Sequence, residues 1–113
     1  MPSQLAQALD RVVARLAAAG IAATTEPRDL TLPGAWVTVH DITGANLCGE
    51  LVVRADVCLI AGDFGAPLGI EETGELLDKA LTVIDIDEPA RPANVTPPGL
   101  KPMPALVVTT TTD

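Results

Sequence analysis

Aromatic and basic side chains are scarce in this chain. Of its 113 residues only Trp36 and Phe64 are aromatic, and seven basic residues stand against fifteen acidic ones, a formal net charge of −8. A nucleic-acid binder gains most of its affinity by neutralising phosphates with Lys and Arg, and single-strand binders also need aromatic platforms for base stacking. The composition therefore argues against nucleic-acid binding, and the acidity disfavours an anionic membrane surface.

Cysteine is nearly absent as well. Cys48 and Cys58 lie ten positions apart with only His40 nearby, a spacing that matches no zinc site. So few thiols favour a reduced intracellular protein, while a disulfide between the two stays open. No apolar run approaches the roughly 20 residues that span a bilayer, and the start lacks the pattern of a signal peptide. We expect no metal, no cofactor and a soluble, cytoplasmic protein.

Residues 50–61, which read ELVVRADVCLIA, organise the rest of the chain. Successive side chains of a strand point to opposite faces, and here every odd position is apolar. The even positions form a mixed set: Glu50, Val52, Arg54, Asp56, Cys58 and Ile60. The pattern predicts a central antiparallel strand with one core face and a second face that is only partly polar.

Two amphipathic helices are predicted on either side of this strand. The first begins after Ser3, a plausible N-cap, and ends at Gly20, which tolerates the left-handed conformation of a helix stop. Its apolar stripe is Leu5, Leu9, Val12, Val13 and Leu16. The stripe of the second is Ile70, Leu77, Ala80, Leu81 and Ile84, with Leu76 and Val83 on a flank that is either an edge of the core or a subunit contact.

Strand patterns account for most of the remaining chain. Residues 21–26, 35–40 and 105–112 are predicted strands, and residues 85–104 hold six of the ten prolines and are predicted to form an extended arm. The expected fold is one α+β domain over residues 1–113, in the order α-β-β-β-α-β. Its mostly antiparallel four-stranded sheet would carry both helices on one face.

No group of residues in the sequence supports catalysis. Gly62, Gly65 and Gly69 lie between a strand and a helix, but neither a dinucleotide fingerprint nor a P-loop follows. His40-Asp41 could orient an imidazole, yet a nucleophile in a recognisable setting is missing. We expect a protein that is not an enzyme.

The second sheet face favours an assembly subunit instead. It would present Trp36, Val52, Cys58, Ile60 and either Leu106 and Val108 or their neighbours, and an exposed apolar patch of that kind usually marks an interface. Arg54 and Asp56 could pair with opposite charges on another chain. The residues expected at a subunit or partner interface are Trp36, His40, Asp41, Asn46, Arg54 and Asp56.

Three stretches that cover almost the whole chain carry a family likeness. They are LAQALDRVVARLAAAGI, then ELVVRADVCLIAGD followed after a glycine-rich turn by GIEETGELLDKALTVI, and PALVVTTTTD at the end of the arm. In pattern, length and element order the chain resembles the tail-terminator (tail-completion) proteins of long, non-contractile-tailed bacteriophages.

The resemblance implies a virion protein of the tail and neck that is assembled in the host cytoplasm. It would form a homohexameric ring that caps the tail tube and meets the head-side connector, with DNA passing through the ring. An acidic lumen would suit that passage, because like charge opposes binding. The alternatives are another neck or connector protein, and a small cellular α+β dimer that binds a ligand or regulates.

Overall fold

The computed structural model describes residues 3–43, 52–61 and 70–112. These residues form two helices, five strands and a short 3-10 turn. In chain order they are α1 (Gln4–Ala18), β1 (Ala23–Thr24), the 3-10 turn (Pro27–Asp29), β2 (Gly34–Thr43), β3 (Val52–Ile60), α2 (Ile70–Leu81), β4 (Arg91–Val95) and β5 (Met103–Thr112). None of the helices in these ranges is long and apolar enough to cross a membrane.

Helix α1 begins and ends where the sequence predicts. The Ser3 hydroxyl accepts a hydrogen bond from the Ala6 amide at 3.1 Å, as an N-cap does. At the other end Gly20 has φ +88°, and the amide of Ile21 donates to the Leu16 carbonyl at 3.0 Å. This bonding satisfies carbonyls that the end of a helix otherwise leaves free.

The sheet has five strands in the order β1-β2-β3-β5-β4, with β3 at its centre. All neighbours are antiparallel except the short β1, which runs parallel to β2. The predicted α+β class and the central position of β3 are confirmed, whereas the four-strand count and the element order are wrong. The additional strand, β4, lies inside the predicted arm, because a proline such as Pro92 is tolerated in a strand at the edge of a sheet.

Both helices pack on one face of the sheet, as predicted. Val12 and Leu16 of α1, Leu76 and Ala80 of α2, and the inward side chains of β2, β3 and β5 form one buried cluster, the helix-facing core. Leu76 is buried and Val83 packs against the same core, so the interpretation of this flank as a core edge is confirmed. Leu81 was expected in the stripe, but it lies past the covered side and is 44% exposed.

The opposite face of the sheet, the outer face, has a core of its own. Five buried side chains form it: Cys58, Ile60, Met103, Ala105 and Val107. Leu30 and Leu32, from the connection between β1 and β2, pack against them, and so does Trp36. The expectation that Cys58 and Ile60 form part of an exposed apolar patch is therefore wrong, because the chain covers this end itself. From β5 it is the neighbours of Leu106 and Val108 that face this side.

Candidate functional site

A β-bulge in β2 sets the geometry of the other end of the outer face. Val39 pairs with Ala55 and Asp41 pairs with Arg54, so His40 is an extra residue opposite a single step of β3. A bulge places two residues against one and interrupts the strict alternation of faces. The side chains of His40 and Asp41 consequently meet groups on the same face, although they are adjacent in sequence.

Arg54 joins three parts of the chain at this end. Its Nε donates to Asp41 Oδ1 at 2.7 Å and its Nη2 donates to Asp41 Oδ2, a two-point contact that matches the guanidinium to the carboxylate. Its Nη1 donates to Glu88 Oε2 at 3.1 Å. Arg54 thus connects β2 and β3 to the segment that precedes β4.

His40 lies among three carboxylates. Its Nδ1 is 3.1 Å from Asp56 Oδ1, and its Nε2 is 3.3 Å from Glu88 Oε2 and 4.0 Å from Asp41 Oδ2. Asp56 Oδ1 also accepts a hydrogen bond from the Thr109 hydroxyl at 2.8 Å. We call His40, Asp41, Arg54, Asp56 and Glu88 the charged cluster.

Electrostatics distinguish the two ends of the outer face. The hydrogen bond from Arg54 lowers the pKa of Asp41 below its usual value, and the same bond raises the pKa of Arg54. At the apolar end, burial raises the pKa of the Cys58 thiol to about 12. The carboxylate of Asp41 therefore stays ionised, and the free thiol of Cys58 stays neutral.

Beside the charged cluster lies the unpaired edge of β2. The Ala35 amide donates to the Ala22 carbonyl at 2.9 Å, on the side of β2 away from β3. Alternate residues of a strand direct their backbone groups to the same side. The backbone N–H and C=O groups of Val37 and Val39 therefore also point to the side of β2 away from β3. The pairing with β1 stops at Trp36, and no other strand in the described ranges pairs with β2 on this side.

Apolar side chains accompany this edge. Val39 is 39% exposed and Ile42 is 44% exposed, both on the strand whose edge is unpaired. A side chain of this kind gains free energy when a partner removes it from water, by roughly 25 cal/mol for each Å² that is buried. The open edge, defined as residues 38–43, thus combines backbone groups that pair with no further strand in the described ranges with exposed aliphatic groups.

The structure brings four of the six predicted interface residues together. His40, Asp41, Arg54 and Asp56 all belong to the charged cluster, where each has partners within the chain. Trp36 lies apart, packed against the outer-face core with its Nε1 donating to the Thr25 carbonyl at 3.4 Å. Asn46 lies outside the described residues. Whether any of the six contacts another chain stays a prediction.

Glu88 is the member of the cluster that the sequence did not single out. It lies in the predicted arm, where the acids Asp85, Asp87 and Glu88 precede the prolines. The Asp87 amide donates to the Thr109 carbonyl at 2.9 Å, which places this segment beside β5 and within reach of Arg54. Glu88 comes close to Arg54 because its segment lies beside β5 and β5 pairs with β3. No local sequence pattern indicates this proximity.

The cluster offers charge and hydrogen bonds rather than a metal centre. In the described part of the chain, no group of three or more His, Cys, Asp or Glu side chains is placed to hold a metal ion. Comparisons with protein-family models, curated proteins and solved structures found no match to this chain.

Proposed function

We propose that this chain is a structural subunit of a phage tail, a tail-terminator protein that caps the tail tube and joins it to the head-side connector. The observation that carries the proposal is the open edge of β2 with Val39 and Ile42 exposed beside it. An unpaired strand edge is a template for pairing with another chain. A subunit that closes a ring uses such an edge where a monomer would cover it.

The two edges of the sheet differ in their capacity to pair with another chain. The edge at β4 contains Pro92, which lacks an amide hydrogen, and β4 is five residues long. The edge at β2 has no proline between residues 38 and 43. The proposed ring needs a head-to-tail contact, in which the β2 edge meets a different surface of the neighbouring copy, and such a contact closes into a ring when the rotation allows it.

Charge supports the passage of DNA rather than its capture. The chain carries a net charge of −8, and a hexamer would carry six times that charge in total. Like charges repel the DNA backbone and keep it from adhering. The contacts within the charged cluster stiffen the end of the sheet next to the open edge, which favours a pre-organised interface.

The test is the mass of the purified protein in solution, measured by light scattering alone and after mixing with tail-tube protein. We expect a hexamer, or a monomer that forms a ring only with the tube protein present. The variant Ile42→Lys places a charge at the open edge, where it should abolish assembly. Leu81→Lys is the matched control, because Leu81 is equally exposed, at 44%, on the far helix.

Three outcomes would contradict the proposal. A stable dimer that ignores tail-tube protein would favour the small cellular ligand-binding or regulatory domain instead. Equal loss of assembly in the two lysine variants would show that added charge, rather than the β2 edge, controls association. A ring that forms but binds only a head-side protein would indicate another connector of the neck.

A further inference from the structure

The two nitrogens of the His40 ring face two different carboxylates. Nδ1 lies 3.1 Å from Asp56 Oδ1, and Nε2 lies 3.3 Å from Glu88 Oε2. A neutral imidazole carries one N–H, so it can donate to only one of them, and the lone pair of its other nitrogen then faces an anionic oxygen. Only the imidazolium donates from both nitrogens.

We propose that His40 is a protonation-dependent clamp that ties β2 and β3 to the segment 85–90. With both nitrogens protonated, His40 bridges Asp56 of β3 and Glu88, and it thereby holds the entry to β4 against the outer face. When the proton leaves Nε2, the lone pair of that nitrogen faces the Glu88 carboxylate, the contact turns repulsive and the segment loosens. Histidine is the side chain whose ordinary charge change falls between about pH 5 and pH 8.

The charged groups that the described part of the chain brings close to His40 bear on this clamp. Asp41 lies beside it on β2, Arg54 and Asp56 come from β3, and Asp87 and Glu88 come from the segment before β4. From β5 the neighbours are the uncharged Thr109 and Thr111, whose hydroxyls donate to Asp56 and Asp87.

Deprotonation would leave part of the connection intact. Glu88 keeps its contact with Arg54 at 3.1 Å, and Asp56 keeps its bond from Thr109 at 2.8 Å. The expected change is therefore a local loosening rather than unfolding of the domain. For a partly exposed ion pair, the corresponding change in the local opening equilibrium is roughly two- to fivefold.

The experiment uses the full chain and NMR across about pH 5 to 8. His40 is the chain's only histidine, so its ring signals need no assignment. We expect both ring nitrogens to be protonated at the acid end. As one proton is lost, hydrogen-exchange protection of the Asp87 amide, which donates to Thr109, should fall roughly two- to fivefold after correction for intrinsic rates. The amide of Val57 in central β3 should not change.

The variant Glu88→Gln separates this clamp from a merely structural contact. A glutamine amide can accept a hydrogen bond from the imidazolium or donate one to the neutral ring, so the pH dependence at Asp87 should disappear while its protection persists. Glu71→Gln removes one charge on the exposed side of α2 and should leave the wild-type pH dependence intact. Unchanged protection at Asp87 through the titration of His40, or an undiminished fall in Glu88→Gln, would overturn the proposal.

Discussion

On the outer face of the sheet, β3 carries Cys58 and Ile60 at one end and Arg54 and Asp56 at the other. The first pair is 3% and 2% exposed, and the side chains of the second pair are 30% and 18% exposed. All four occupy alternate positions of one strand. The difference arises from other segments: Leu30 and Leu32 cover the first pair, whereas the segment at Glu88 brings a carboxylate to the second. The alternation along a strand determines which face of the sheet a side chain occupies. Segments that are distant in sequence determine whether that side chain is exposed to solvent.

The largest expected difference between the two ends is chemical reactivity. The pKa of Cys58 is raised from 9.0 to about 12, so near neutral pH its thiolate fraction should be roughly a thousandfold below that of a free thiol. In a Cys48→Ser background, thiol labelling of the folded protein should therefore be far slower than labelling of the unfolded chain. The double variant Leu30→Ala and Leu32→Ala, which thins the cover, should accelerate it. Rapid labelling of the Cys58 thiol while Leu30 and Leu32 are both in place would show that this end is accessible to solvent.

Removing apolar volume from the covered end should have the next largest effect. Ile60→Ala should lower the free energy of unfolding by about 2–5 kcal/mol, because it leaves a cavity among packed neighbours. Ile42→Ala, at an isoleucine that is 44% exposed, should change it by no more than about 0.5 kcal/mol. Denaturant unfolding followed by the fluorescence of the single tryptophan measures both. Similar losses in the two variants would contradict the burial difference.

At the charged end, a single hydroxyl should matter more than its exposure suggests. Thr109→Val removes the donor to Asp56 and should cost about 1–3 kcal/mol, because a largely covered carboxylate loses a hydrogen bond. Thr110→Val is the matched control. Thr110 is equally buried and faces the helices, where its hydroxyl bonds to no other described residue, so we expect a neutral or slightly stabilising change. Equal destabilisation by both variants would show that the hydrogen bond from Thr109 to Asp56 contributes no specific stability.

The smallest expected effect concerns acid stability. The folded-state pKa of Asp41 lies below its ordinary value of 3.8, so its ionised form favours the folded state. This contribution is present above about pH 4 and is lost as the pH falls through the folded pKa. Asp41→Asn should therefore be slightly less stable than the parent near neutral pH and should lose less stability on acidification. Unfolding curves at several pH values test this, and parallel curves for both proteins would contradict it.

Much of the fold follows from local patterns. The caps at Ser3 and Gly20, the apolar stripe of α1 and the alternation along β3 are encoded within a few residues, and the structure reproduces them. The second predicted stripe is reproduced at Leu77, Ala80 and Ile84 but not at the exposed Leu81. The strand β4 is not predicted from the sequence of the arm, because its prolines argue against an inner strand. Proline is nevertheless tolerated in a strand at the edge of a sheet. The packing of Leu30 and Leu32 on the outer face could not be predicted. A connection with irregular backbone has no hydrophobic repeat that indicates which surface it packs against.

The charged cluster could be predicted only in part. The sequence places His40, Arg54 and Asp56 on the second sheet face, but it assigns Asp41 to the connection after the predicted strand 35–40, whereas β2 runs on to Thr43. The sequence could not show that these residues would neutralise one another. That outcome depends on a one-residue bulge and on Glu88, thirty-four positions away from Arg54. Both are properties of strand register, which side-chain type alone does not determine.

The bulge at His40 also makes this position unlike any other in β2. The residues on either side of it, Val39 and Asp41, pair with consecutive residues of β3. Deleting His40 would leave a regular ladder in which every other partner is unchanged, whereas a deletion elsewhere in the strand would exchange its inner and outer faces. His40 is thus an insertion that the sheet tolerates, so a chain could acquire or discard this histidine in one step without redesigning its core.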